Sequence, residues 1–139
     1  MNDYWKGNKM SERKVQLLRY GIAAIALVFG LVTIISGGQV IFGSDQSRAA
    51  AGDYLPAIVW FNFIAGFAYV GTAAGLASGQ AWAGRLALVI AVATALAFLV
   101  FGLLVMTGAP FEGRTVGAMT IRTLLWAGIA WFALRRFNT

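Results

Sequence analysis

Arg122 is the only formal charge inside the four long apolar runs of this 139-residue sequence. It lies seven residues after Thr115, so a helix would carry it roughly 10 Å into a bilayer. A charge at that depth costs several kcal/mol unless it is paired or reaches water. One interpretation is a site for an anion, a lipid headgroup or a ligand carbonyl. The other is an arginine that snorkels outward or is satisfied by neighbouring protein groups.

Further polar and aromatic residues could form a site with Arg122. Asn62 is six residues past Pro56, which gives it nearly the same depth. Its amide would hydrogen-bond Arg122, share a ligand with it or merely bridge helices. Glu112 and Arg114 stand before the last apolar run, as helix-end or rim charges. Aromatic residues of the second run could line a quinone or lipid pocket, or simply contact core and lipid. The predicted ligand-binding set is Arg122, Asn62, Tyr69, Trp60, Glu112 and Arg114.

The side-chain inventory argues against independent catalysis. The chain has no cysteine and no histidine, and its only carboxylates are Asp3, Glu12, Asp45, Asp53 and Glu112. These absences remove thiol nucleophiles, the usual zinc and haem ligands and the usual general base. We therefore predict no catalytic residues, no metal site and no intrinsic cofactor, and leave a quinone or a lipid open as ligand. An enzyme acting on such a molecule would have to use Glu112, Asp53 or Tyr69.

The elements that position these residues are four apolar segments. Hydrophobic residues make up 60% of the chain and charged residues 12%, far from the balance of a soluble domain. Each segment approaches or exceeds the roughly 20 residues that span a bilayer. We predict an all-α integral membrane bundle over residues 20–136, preceded by a basic segment over residues 1–19. Its four transmembrane helices are expected at about residues 20–36, 55–78, 84–106 and 115–135.

The net charge of +6 is interpreted as a topology signal rather than as nucleic-acid binding, because no recognition motif accompanies it. Most Lys and Arg residues flank the first run, follow the last run or lie in the short connection at Arg85. The other side holds Arg48 and Arg114. The positive-inside rule then places both termini in the cytoplasm, as expected for a multi-pass protein of a bacterial inner membrane.

The stretch "GTAAGLASG", residues 71–79, has glycine at every fourth position: Gly71, Gly75 and Gly79. A phosphate-binding P-loop would need a preceding strand, a longer spacing and a lysine, none of which is present. Glycines four apart share one helix face, which allows another backbone to approach closely in lipid. We therefore predict a helix-packing face, with the partner helix either in the same chain or in another copy.

Two segments resemble the DoxX-like group of small four-helix bacterial membrane proteins. They are "LLRYGIAAIALVFGLVTIISGGQVIFG", residues 17–43, and "GFAYVGTAAGLASG", residues 66–79. The resemblance implies the four-helix fold and a link to quinone-coupled or sulfur-related redox work. Gln39 and Val40 stand where that group would have a lysine, so no functional residue is carried over.

The sequence thus favours a non-enzymatic accessory or interaction subunit of a larger membrane complex. Its partners would be the bilayer and other membrane subunits, or further copies of itself. The alternative is a binding or transport protein for a quinone, a lipid or a small anion, with a polar pocket in the outer leaflet around Arg122 and Asn62. Proton-coupled transport is less favoured, because no carboxylate lies in the middle of a predicted span.

Overall fold

A computed structural model describes the backbone of residues 2–137 and the side chains of residues 12–135. This part of the chain is helical and contains no strand, which confirms that the fold is all-α. Most of the predicted basic segment, including Lys6 and Lys9, lies outside the described side chains. The helices are α1 (Asn2–Phe42), α2 (Asp45–Ala51), α3 (Pro56–Ala77), α4 (Trp82–Met106) and α5 (Gly113–Phe137).

Four of these helices, α1, α3, α4 and α5, are long and apolar enough to cross a membrane. They also turn large apolar side chains away from the bundle: Ile64, Val89 and Leu124 are each more than half exposed. Such surfaces suit a hydrocarbon surrounding, since a water-soluble protein rarely leaves large continuous apolar patches uncovered.

The helix ends follow local chemistry. Pro56 occupies the first turn of α3, where its missing N–H costs nothing. Gly79 follows α3 with a φ of 71°, and Gln80 N–H donates to Gly75 O at 2.9 Å, the hydrogen bond that closes a Schellman cap. α1 is much longer than the predicted span of residues 20–36. Apolar residues indicate which part of a helix can lie in lipid, but the backbone hydrogen bonds of the helix can extend beyond that part.

The tightest interface joins α1 to α3, and α4 packs on both α5 and α3. Gly30 and Gly66 make the closest approach: a Cβ on Gly30 would lie 3.0 Å from Gly66 O and 2.9 Å from Val70 Cγ2. Gly37 similarly faces Phe63, whose Cβ would be 3.0 Å away. α5 has no comparable backbone contact with α1 or α3 within the described residues, so larger side chains fill that space.

The bundle has two distinct ends. At the turn end, which holds the α3–α4 turn, Gly79 lies beside the Arg19 guanidinium of α1. At the loop end, the segment before α3 meets the segment before α5, where Glu112 accepts a hydrogen bond from Asp53 N–H at 2.8 Å. The connection between α1 and α3 and the connection between α4 and α5 therefore share one end of the molecule.

The apolar core is divided unequally between these ends. The larger cluster is rich in alanine and draws on all four long helices; its buried members are Ala23, Ala26, Tyr69, Ala73, Leu76, Ala83, Ala87, Ile90, Trp126, Ile129, Ala130 and Ala133. The cluster toward the loop end has only Ile58, Phe101 and Met119 as fully buried members. The loop end is thus the less completely packed half of the bundle.

Candidate functional site

A cavity of about 260 Å³ lies at the loop end between α3 and α5. Four of the six predicted ligand-binding residues line it: Asn62, Glu112, Arg114 and Arg122. The remaining lining residues are Ala51, Thr115, Ala118 and Met119. The structure therefore gathers side chains that are sixty residues apart in sequence around one opening, which we call the Arg122 pocket.

Arg122 stands at the inner end of this pocket, on the buried side of α5. Its Nε atom is buried and has no hydrogen-bond partner, and its guanidinium carbon lies 5.7 Å from the ring centre of Phe29 on α1. No carboxylate of the described residues forms an ion pair with it. A ring face attracts a cation but does not accept a directed hydrogen bond in the guanidinium plane. The site therefore presents unsatisfied donors.

Asn62 faces the pocket from α3 at a similar level. Its Oδ1 atom is buried and lacks a hydrogen-bond partner within the described residues. An amide carries both acceptor and donor atoms, so Asn62 can turn toward a donor or an acceptor. The predicted contact between Asn62 and Arg122 takes the form of a shared cavity and not of a direct hydrogen bond.

The rim of the pocket is held by two hydrogen bonds that join α2 and the segment after it to the start of α5. Glu112 Oε1 accepts from Asp53 N–H at 2.8 Å, and Arg114 donates to Ala50 O at 3.4 Å. Glu112 therefore links the segment before α3 to the segment before α5, and it does not form an ion pair with Arg122. The two bonds fix α2 over one side of the opening, where Ala51 lines the wall.

Tyr69 does not line the pocket. It is fully buried in the middle of the bundle, with its ring stacked on Trp126 of α5 at a centroid distance of 4.6 Å. Tyr69 interacts electrostatically with Arg122 and faces Thr94 of α4. The Tyr69 hydroxyl, Thr94 Oγ1 and Trp126 Nε1 are all buried without a partner at hydrogen-bond geometry. Buried polar atoms are thus also present deeper in the bundle than Arg122, on α3, α4 and α5.

Trp60 also lies outside the Arg122 pocket. It lines a separate cavity of about 170 Å³ with Arg48 and Tyr54, and its ring packs edge-on against Phe42 and Phe63 at about 6 Å. Arg48 in that cavity donates to Val40 O at 3.1 Å, so it caps the end of α1.

The three glycines of residues 71–79 do not share one packing face inside this bundle. Gly71 has open space where a side chain would be, and Gly75 packs on Trp82 and Ala83 of α4. Gly79 is not in a helix, because it supplies the positive φ of the cap that ends α3. The close approach of helices occurs instead at Gly30, Gly37 and Gly66.

Sequence reasoning missed half of the pocket lining. Thr115 and Ala118 could have been found, because they precede Arg122 by seven and four residues and so share its helix face. No sequence pattern indicated Ala51, because α2 comes to lie over the pocket only through the path of the chain between α1 and α3. Phe29, the ring under the guanidinium, was likewise invisible among many apolar residues of α1.

The described side chains contain no cluster of acidic residues that could hold a metal ion. Comparisons with protein-family models, with curated proteins and with solved structures give no match. The resemblance to DoxX-like proteins therefore stays a prediction.

Proposed function

We propose that this chain is a non-enzymatic integral membrane protein that binds a ligand through acceptor oxygens in the Arg122 pocket. The observation that carries the proposal is the unpartnered, buried Nε of Arg122 at the inner end of a cavity. Buried polar groups normally have partners, and a buried cation without one is costly. A carboxylate, phosphoryl group or carbonyl bound in the cavity would give the Arg122 guanidinium an acceptor.

The arrangement around Arg122 supports the same proposal. Asn62 offers a second adaptable polar group, and Thr115 and Arg114 add donors nearer the rim. Glu112, the only carboxylate in the lining, accepts the Asp53 N–H, and it forms no ion pair with Arg122 within the described residues. Among the candidate ligands, a quinone, a lipid or a small anion, each carries the oxygens that these donors require.

The experiment is to purify the tagged protein gently from its own membranes and to identify bound molecules by native mass spectrometry with lipid and quinone analysis. We expect a defined ligand on the wild-type protein. The Arg122→Gln variant should lose it, because glutamine keeps polarity but removes the positive charge and the planar fork of donors.

Arg85→Gln is the matched control, since Arg85 is exposed and lies outside the pocket lining. That variant should retain the ligand, and both variants should elute as folded particles. Equal ligand occupancy in the wild-type and Arg122→Gln proteins would contradict the proposal.

An accessory subunit of a bacterial inner-membrane complex is the second candidate, and one observation favours it. Gly71 lies within α3, and apart from the backbone of that helix no atom of the described residues lies within 4 Å of where its Cβ would be, so another helix could approach there. Gly71→Leu should then separate the chain from larger assemblies in native mass spectrometry while leaving the small particle intact. An unchanged assembly would argue against that surface.

A further inference from the structure

We infer that the ligand of the Arg122 pocket is a small water-borne oxyanion, such as a phosphate, sulfate or carboxylate, and not a quinone or a lipid. The inference rests on the proposed function and makes it more specific. Three properties of the lining carry it: its charge, its lack of aromatic rings and its depth along α5.

Charge is the first property. Arg122 and Arg114 line the pocket against the single carboxylate of Glu112, which leaves the lining with an excess positive charge. One oxygen of Glu112 is engaged by Asp53 N–H, at the rim. A neutral carbonyl would leave the Arg122 charge uncompensated, whereas an oxyanion supplies both acceptor atoms and the opposite charge.

The second property is the absence of a ring platform. No aromatic residue is among the eight that line the pocket. The Phe29 ring lies 5.7 Å from the Arg122 guanidinium carbon but is not part of the lining. Tyr69 and Trp126 are stacked on each other at 4.6 Å, so no third ring fits between them. Sites for planar apolar ligands are lined mostly by apolar and aromatic side chains. The Arg122 pocket instead offers a guanidinium, an amide and a hydroxyl within about 260 Å³.

Depth separates a water-borne anion from a lipid headgroup. Arg122 is nine residues past the start of α5, which places it roughly 13 Å along the helix axis. The headgroup layer on each side of a bilayer is only about 5–8 Å thick. With the start of α5 at the water surface, the Arg122 backbone would lie below a lipid phosphate, which could then be reached only if the guanidinium extended toward the surface, whereas a small anion can enter from the rim at Arg114 and Thr115.

The test uses the fact that the chain has no cysteine, so a single substitution gives a single thiol. Ala118→Cys places that thiol in the pocket lining, five residues into α5. In detergent micelles it should react with a small water-soluble methanethiosulfonate reagent. Sodium phosphate or sodium sulfate, compared with chloride at equal ionic strength, should slow the reaction about tenfold at ten times the dissociation constant.

Val100→Cys is the matched control. Val100 lies at a similar depth, six residues before the end of α4, but is about half exposed on the outer surface of the bundle. Its thiol should react slowly, and no anion should change the rate. Adding Arg122→Gln to the Ala118→Cys variant should abolish the protection. A larger rise in the thermal unfolding midpoint with sulfate or phosphate in the wild-type protein than in Arg122→Gln gives a second measurement, which is free of the thiol and separates binding from the general stabilising effect of these salts.

Two further arms distinguish the possible failures. A short-chain benzoquinone, or phosphatidylglycerol in mixed micelles, is added in place of the free anion. Protection by either one alone, lost with Arg122→Gln, would overturn the oxyanion inference and leave the proposed function standing. If none of the probes protects the Ala118→Cys thiol or shifts the unfolding midpoint, both the inference and the proposed function are wrong.

Discussion

The two ends of the bundle are built by different means. At the turn end, small residues such as Ala83, Ala87 and Ala133 are fully buried and let four helices close on one another. At the loop end, only Ile58, Phe101 and Met119 are fully buried apolar residues, and a polar cavity lies beside them. The difference shows how one small bundle can keep one half closely packed while the other half holds a buried charge. Substitutions matched between the two halves can test that division.

The largest effect is expected at Trp126, where the two halves meet. Its side chain is fully buried and stacks on Tyr69, so Trp126→Ala should lower the free energy of unfolding by about 3–5 kcal/mol. Trp131→Ala is the control on the same helix, because that ring is 62% exposed. Unfolding in mixed micelles measures both. Equal losses would mean that Trp126 is not a core residue.

Comparing one substitution in each half of α5 should show that the two halves differ in how tightly they are packed. Ala130 is buried in the alanine-rich cluster, so Ala130→Leu should overpack it and cost about 1–3 kcal/mol of unfolding free energy. Ala118 lines the Arg122 pocket, where Ala118→Leu can occupy existing space with little loss of stability. It should also block the ligand. If Ala118→Leu destabilises as much as Ala130→Leu, the loop end is as tightly packed as the turn end.

Arg122→Leu should stabilise the ligand-free protein. The Arg122 Nε is buried without a partner, and an apolar side chain removes that unsatisfied donor. We expect a gain of about 1 kcal/mol in unfolding free energy, with loss of ligand binding, as is common for functional polar residues. Chemical unfolding without added anions measures the gain. A clear loss of stability would assign Arg122 a structural role.

The smallest effect is expected at the rim. Glu112→Ala removes the acceptor of Asp53 N–H, and since the bond is exposed the cost should be about 1 kcal/mol or less. Glu112→Gln keeps an oxygen acceptor and should remain close to the wild type. Hydrogen exchange at the Asp53 amide reports the bond directly. Identical exchange in both variants would show that Glu112 does not hold the two connections together.

The helical class and the existence of four long apolar helices followed from the sequence, because their signal is the composition of each segment alone. The stretch "QSRAAAGDY", residues 46–54, also favours a short helix, and α2 is observed over Asp45–Ala51. The glycines of residues 71–79 show what a sequence pattern does not distinguish. Spacing of four is the same whether a glycine packs a helix, as Gly75 does, or ends one, as Gly79 does.

The candidate site divides in the same way. The sequence by itself determined that Arg122 and Asn62 would stand in apolar helices at similar depth, since residue type and distance from a helix start fix both facts. Only the tertiary structure decided that they share a cavity with Glu112 and Arg114, and that Tyr69 and Trp60 face elsewhere. Which faces of α3 and α5 meet depends on how the helices pack, and no local pattern along the chain records that choice.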